Sequence, residues 1–269
     1  MLIGISGKKQ SGKDTVAKII QGFDIWKKNL TLQTEYPLSN VFVRDYVLNR
    51  VSIYVSSWQV KKFASTLKEI VSILTGFKVE DLEKEEIKNT NLFLSYRLLN
   101  KKANTFEVFA SMEDLVERLN HLRTVYLDVY SAEEVNDLFV QETISVTPRL
   151  LLEIIGTDIV RTINPDIWVN SLMNDYISYA DAISGTSKIK KLYPNWIIGD
   201  VRFPNEVKAI KEKDGIIIRI NRETNYVSNH SSEIALDDYE DFDYTIDNNN
   251  CIDCLIEKVK EILKHEKII

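Results

Sequence analysis

Cysteine is nearly absent from this sequence, long apolar runs are missing, and positive charge is not in excess. The only cysteines, Cys251 and Cys254, form a C-x-x-C inside the apparent C-terminal helix "CIDCLIEKVKEIL". Without a second pair a closed four-cysteine zinc site is excluded, and a redox role lacks the expected strand-to-helix context, so the two read as helix residues. No run of about 18 apolar residues appears, which excludes a membrane-spanning helix, and the N-terminus enters a polar loop too soon for a secretory signal. The chain is expected to be intracellular and cytoplasmic, in the host cytoplasm if it is viral. With 34 Lys+Arg against 40 Asp+Glu and a net charge of -6, no global field draws it onto nucleic acid or an anionic membrane. Neither is expected as a stable partner, and homodimerisation stays open.

What is present is enough for a core: 269 residues, 44% of them hydrophobic. Residues 2–6, "LIGIS", form a short apolar run closed by a glycine loop, and "KDTVAKIIQGF" follows with apolar residues at Val16, Ala17, Ile19, Ile20 and Phe23. That is strand, loop, helix. "SSWQVKKFASTLKEIVSILTG" reads as one long helix stopped by Gly76. From about 78 to 146 the texture turns charged and mixed, with a strand at "TFEVF" and a helix at "SMEDLVERLNHL", and the run "DLEKEEIKN" reads as a solvated helix face. No linker bounds this stretch, so it reads as an insertion or lid in a single domain over 1–269. Two helices follow, "TPRLLLEIIGTDIVRTI" and "PDIWVNSLMNDYISYADAI", with Pro148 and Pro165 suited to first turns. The last third alternates: strand "NWIIGDV", helix "PNEVKAIKEKD", strands "GIIIRIN" and "DYTID", and the final helix. The expected fold is α/β and three-layered, with a mostly parallel central sheet and an inserted lid-like region.

The stretch Gly7-Lys8-Lys9-Gln10-Ser11-Gly12-Lys13 has the spacing G-x-x-x-x-G-K between a strand and a helix, the context a phosphate-binding loop requires. Its N–H groups and the helix N-terminus would cradle a phosphate, with Lys13 on the β and γ oxygens. Asp14 stands where a Ser or Thr normally holds magnesium. A carboxylate about 4 Å from a phosphate oxygen costs on the order of 4 kcal/mol at an effective dielectric near 20. The helix dipole returns only about 0.3–1 kcal/mol. Asp14 should therefore face magnesium, directly or through water, or turn to a basic partner, while Thr15 bonds a phosphate; the alternative is an ordinary first-turn residue.

"SGKKQSGKDTVA" resembles the phosphate loop of bacteriophage deoxynucleoside monophosphate kinases, which commonly ends in G-K-D-T. "PRLLLEIIGTDIVRTINPDIWV", "IIGDVRFPNEVKAI" and "NHSSEIAL" are similar to that family's later motifs, in family order over residues 4–236. The resemblance implies a P-loop kinase moving the γ-phosphoryl group of ATP, with Mg2+, to a deoxynucleoside 5'-monophosphate. Lys13, Arg149 and Arg202 are its expected catalytic cations. Gly7, Lys8, Ser11, Gly12, Lys13, Asp14, Thr15 and Arg222 are expected to bind ATP, Arg222 by stacking on the base.

Arg202, leaving a core strand, suits the acceptor phosphate, or pairs with Glu206 at i+4. Asp200 either orients a magnesium water or holds Arg202. Phe63, Lys68, Asp158 and Trp168 are candidates for the acceptor, against core, surface and helix-kink roles for the same residues. Arg149 and Arg161 lie about 120° apart around a helix, and Arg161 reads equally as a surface side chain. His230 and Glu233 shape a loop, since an acceptor phosphate already ionised at pH 7 hardly needs a base. Animal-type phosphomevalonate kinase, which shares S-G-K-D, is the nearest alternative. A nucleotide-binding switch or an accessory ATPase is the alternative of another class.

Overall fold

The computed structural model describes residues 1–51, 53–103, 105–127, 129–182, 189–223 and 231–269. Among them the strands are β1 (Leu2–Gly7), β2 (Trp58–Lys61), β3 (Phe93–Asn100), β4 (Thr105–Phe109), β5 (Phe139–Val146), β6 (Tyr179–Ala182), β7 (Ile189–Leu192), β8 (Asn195–Val201), β9 (Ile216–Asn221) and β10 (Tyr244–Asp247). The chain divides into two compact units, Met1–Thr66 with Val160–Ile269, and Leu67–Ile159.

The first unit is built on a sheet in the order β10-β9-β1-β8-β2, with every neighbouring pair parallel. Its central strands read as continuous apolar runs because both faces are covered. Ile3, Ile5, Ile218 and Ile220 pack with Val16, Ile19, Ile20 and Phe23 of the helix Lys13–Lys28 and with Ile256 and Val259 of the helix Ile252–His265. On the opposite face a Cβ added to Gly4 would lie 2.7 Å from both Ile210 Cδ1 and Ile217 Cδ1. The helix Pro204–Lys211 presses there. The chain leaving β1 and the chain leaving β8 thus go to opposite faces, although the strands are neighbours. That opens a crevice at their carboxyl ends, where sheets of this kind bind ligands.

The expectation of one long helix from Ser56 to Gly76 is corrected. Trp58–Lys61 is strand β2, paired with Asn195–Ile198 of β8, and the helix is Ser65–Thr75. Side chains of the first helix anchor this sheet edge: Asp24 accepts from Ser57 N and Ser56 Oγ at 2.7 Å each, and Gln21 Nε2 donates to Trp58 O at 2.9 Å. Burial raises the Asp24 carboxyl, but hydrogen bonds from Lys28, Ser56 and Ser57 outweigh it and hold the group below the ordinary aspartate range. Gly76 does end the later helix, with φ at +75°.

Two further helices differ from expectation. Pro148 starts a helix at its first position, but after Glu153 the turns widen into a π-helix, Ile154–Ile159. Gly156 makes this close packing feasible, since a Cβ there would sit 2.5 Å from Leu67 Cδ2. The helix after Pro165 spans only Ile167–Met173, with Asp166 at its N-cap position, and Tyr179–Ala182 is instead a strand, β6, antiparallel to β7.

The second unit carries a three-stranded antiparallel sheet, β4-β3-β5. Leu98, Leu115, Leu119, Val135 and Phe139 form its core, joining the sheet to the helices Met112–Tyr126 and Ala132–Leu138. The expected insertion, 78–146, falls inside this unit. No helix among the described residues is long and apolar enough to cross a membrane.

Candidate active site

The glycine loop joins β1 to the helix Lys13–Lys28, as the spacing predicts. Gly7 has no room for a side chain: a Cβ would meet Ser11 Oγ at 2.5 Å and Ile220 O at 2.6 Å. Gly12 adopts φ +103°, and its Cβ would meet Asn248 Nδ2 at 2.5 Å. That amide reaches the loop to donate to Ser11 O at 2.8 Å, an anchor the sequence analysis missed. Ser11 Oγ is buried without a hydrogen-bond partner, a polar atom left for a ligand. Lys13 Nζ folds back onto the loop, donating to Gly7 O at 2.6 Å and Lys8 O at 2.7 Å.

The stretch Asp200-Val201-Arg202-Phe203-Pro204-Asn205-Glu206 organises the neighbouring strand end. Asp200 accepts from Phe63 N at 2.8 Å and Ala64 N at 3.0 Å, one bond to each carboxylate oxygen. It therefore fixes the turn ahead of the helix Ser65–Thr75 and does not hold the Arg202 guanidinium. Glu206, 1% exposed, accepts from Arg202 N at 2.7 Å and Phe203 N at 3.1 Å. Its other oxygen pairs with Arg161, whose guanidinium lies 3.8 Å over the Phe203 ring. Arg161 is thus a half-buried brace, its guanidinium held between Glu206 and the Phe203 ring. Burial, then the charge of Asp200, pushes the Glu206 carboxyl up to about 7 against the pull of Arg161. Asn205 donates to Pro165 O at 2.9 Å and Asp166 Oδ1 at 2.8 Å.

With Glu206 occupied, the Arg202 guanidinium turns elsewhere. It pairs with Glu233 and donates to Ser232 Oγ at 3.2 Å. Glu233 also accepts from Lys9 N at 3.2 Å, so it shapes the loop as expected while joining it to Arg202. His230 lies outside the described residues.

A pocket at this point is lined by Ser6, Gly7, Val201, Arg202, Arg219 and Glu233, among others. It lies at the β1/β8 crevice. Arg219, on β9, donates to Ser6 Oγ at 3.1 Å and pairs with Asp237 at 3.3 Å. Sequence reasoning named Arg222 and passed over Arg219; its one signal was a cation inside the apolar strand "IIIRIN". Arg222 is exposed just beyond β9.

Cations and carboxylates are interleaved here: Arg202 pairs with Glu233, and Arg219 and Lys8 with Asp237. Burial lowers the Lys13 ammonium to about 8, and Arg202 adds to that, while Glu233, Asp14 and Asp200 oppose it. An anion placed here would restore the charge of Lys13. Lys8 is exposed and pairs with Asp237 at 2.9 Å, and Thr15 is half-buried in the first helical turn.

Of the two carboxylates expected to face magnesium, Asp200 has both oxygens engaged by backbone N–H groups and fits that role poorly. Asp14 is exposed in the first turn, with no ion pair to a basic side chain among the described residues, and it fits. Phe63 and Trp168 are 3% and 4% exposed, so neither offers an open face to a ligand in this conformation.

The second unit gathers its own cations. Arg149 pairs with Glu85 at 2.5 Å and donates to Asn89 Oδ1 at 3.0 Å, and Lys68 pairs with Glu83. Lys88 lies among them, lowered by burial first and by the charges of Lys68 and Arg149, with Glu83 and Glu85 opposing. "DLEKEEIKN" is accordingly not a simple solvated face: Leu82 is fully buried. Asp158 is exposed on the π-helical turn.

Comparison with known proteins bears on the family of the chain. A protein of Acanthamoeba polyphaga mimivirus described as "Putative deoxynucleotide monophosphate kinase" is 29% identical over 131 residues, which cover 46% of this chain. The chain spans 65% of the length of that curated relative. A family model described as deoxynucleotide monophosphate kinase matches residues 1–259. That match takes in both the glycine loop and the Asp200–Glu206 strand end, and the chain belongs to the deoxynucleotide monophosphate kinase family.

Proposed function

We propose that this chain transfers the γ-phosphoryl group of ATP to a deoxynucleoside 5'-monophosphate, giving the diphosphate and ADP. The observation that carries the reading is the glycine loop, with Lys13 folded onto the Gly7 and Lys8 carbonyls and the Ser11 hydroxyl unpartnered, next to a recess at the β1/β8 crevice lined by Gly7, Arg202 and Arg219.

Phosphoryl transfer asks little covalent work of a protein; it asks that two anionic phosphates be brought together and their charge followed. Lys13 exchanges the carbonyls of Gly7 and Lys8 for the β and γ oxygens of ATP. The loop N–H groups and helix N-terminus receive the phosphates, with Thr15 donating its hydroxyl. Arg202 exchanges Glu233 for the acceptor phosphate, which a planar fork can hold by two bonds. No general base is required, because the acceptor oxygen is already ionised near pH 7. Asp14 would hold magnesium directly or through water, and the bound ion supplies neutralisation of the phosphate charge. Lys68, Arg149 and Asp158 are proposed as further acceptor contacts and Arg222 as a donor-base contact. For Phe63 and Trp168 the same role requires a face to open on binding.

The test is ADP formation from Mg-ATP with a panel of deoxynucleoside monophosphates, their ribose counterparts and phosphomevalonate, using Lys13→Ala as the blank. Turnover with a deoxynucleotide that disappears in the variant is the expected result. Turnover with phosphomevalonate alone, or hydrolysis that no acceptor stimulates, overturns it.

A further inference from the structure

The strand-to-helix context missed around the cysteine motif is present. β10 ends at Asp247, Cys251 stands at the N-cap position of the helix Ile252–His265, and Cys254 occupies its third position. The two Sγ atoms are 2.8 Å apart, and both side chains are exposed. This is a facing pair of thiols at the start of a 14-residue helix, where the backbone favours a thiolate.

The pair is also unequal. The Cys254 thiol, then its backbone N–H, lowers Cys251, with Asp253 opposing, and the same contact raises Cys254. Their places on the helix differ as well: Cys251 stands at the N-cap position ahead of the first turn, and Cys254 lies within that turn. A metal site does not account for the arrangement, because no group of three or more His, Cys, Asp or Glu able to hold an ion is found among the described residues.

We propose that Cys251 and Cys254 form a thiol–disulfide exchange site for a low-molecular-weight disulfide of the glutathione class. The Cys251 thiolate attacks one sulfur of the disulfide, forming a mixed disulfide and releasing one thiolate. Cys254, losing its proton to water, then attacks Cys251 Sγ, closing the Cys251–Cys254 disulfide and releasing the second thiolate. Two protein thiols are oxidised and one external disulfide is reduced, so electrons and atoms balance. The site lies three residues from Asn248, which holds the phosphate loop through Ser11. It stands independently of the phosphoryl-transfer reading.

The experiment uses the reduced full chain, oxidised glutathione at neutral pH, acid quenching and intact-mass measurement. Wild type should lose the mass of two hydrogens without accumulating an adduct. Cys254→Ser should accumulate one glutathione on Cys251. Cys251→Ser, whose serine is a good helix cap, should form its adduct on Cys254 at least about tenfold more slowly. A stable adduct on wild type, no reaction at all, or equal rates in the two single variants overturns the proposal. Thermal melts of the variants show that folding is retained.

Discussion

The two units hold their cations by different means. In the first, Lys13 is gripped by backbone carbonyls, Arg219 reaches Ser6 from within the sheet, and Arg202 leaves a strand whose end Glu206 fixes through the backbone. In the second, Arg149 and Lys68 pair with Glu85 and Glu83 in a charged turn, and those glutamates are about half exposed, at 52% and 46%. A charge set by buried backbone keeps its position when its partner leaves. A charge set by an exposed surface partner is held less firmly. The contrast predicts that losses at the first set act on chemistry and losses at the second act mainly on acceptor affinity.

The sharpest break would come from Lys13→Ala, expected to lower ADP formation by about 10²–10³-fold or more with the melting temperature little changed. Arg202→Ala is expected to cost about 10²-fold in kcat/KM for the acceptor, and Arg202→Lys to recover little of it, since an ammonium cannot reproduce the fork. Full rescue by lysine would remove the two-bond contact from the mechanism.

Asp24→Ala tests the sheet edge on which the first set depends. It should destabilise the protein by about 1–3 kcal/mol in urea titration, because the hydrogen bonds that Ser56, Ser57 and Lys28 make to the buried, charged Asp24 are lost. The wild-type contribution is present above the ordinary aspartate pKa. It is lost as pH falls through the depressed folded value, so the gap between variant and wild type should close in acid.

Electrostatics supplies a gentler test. Lys13, near 8 in the free protein, must be charged to hold an anion, and bound phosphate raises its pKa. Calorimetric titration with tripolyphosphate should show constant affinity below that pH and a loss of up to about tenfold per pH unit above it. A flat profile up to pH 10 would mean that Lys13 does not face the ligand. The smallest expected effect is Arg149→Ala: about tenfold or less, in acceptor KM, with stability within about 1 kcal/mol. A fall in kcat as deep as that of Arg202→Ala would erase the contrast between the units.

How far the sequence could be read followed the range of the interactions. The glycine loop, the apolar strands and the final helix were legible because spacing and periodicity act within a few residues. Strand β2 was not: "WQVK" continues a helical apolar pattern, and only pairing with β8, more than a hundred residues away, makes it extended. Arg161 and Glu206 likewise hid their partnership across a sequence separation of 45. The hairpin of β6 and β7 escaped because "YISYADAI" carries apolar residues that suit either period. In the second unit, "FVQETISV" alternates half-buried and exposed residues from Val140 to Ser145, and reading it as mixed texture overlooked a period of two. Arg202 was legible as an emerging cation, but its ion pair with Glu233 was not.

The lysine that folds back on its own loop has one more consequence. Because Gly7 and Lys8 carbonyls already satisfy the Lys13 ammonium, an arriving triphosphate replaces bonds and does not simply add them. Its net gain is the difference between two good partners. The reverse passage is eased in the same measure: when the nucleotide departs, Lys13 returns to a waiting pair of acceptors and is never stranded in a dry recess. Such a loop trades tightness of holding for ease of letting go, which is the balance an enzyme needs if each turnover must end in an empty site.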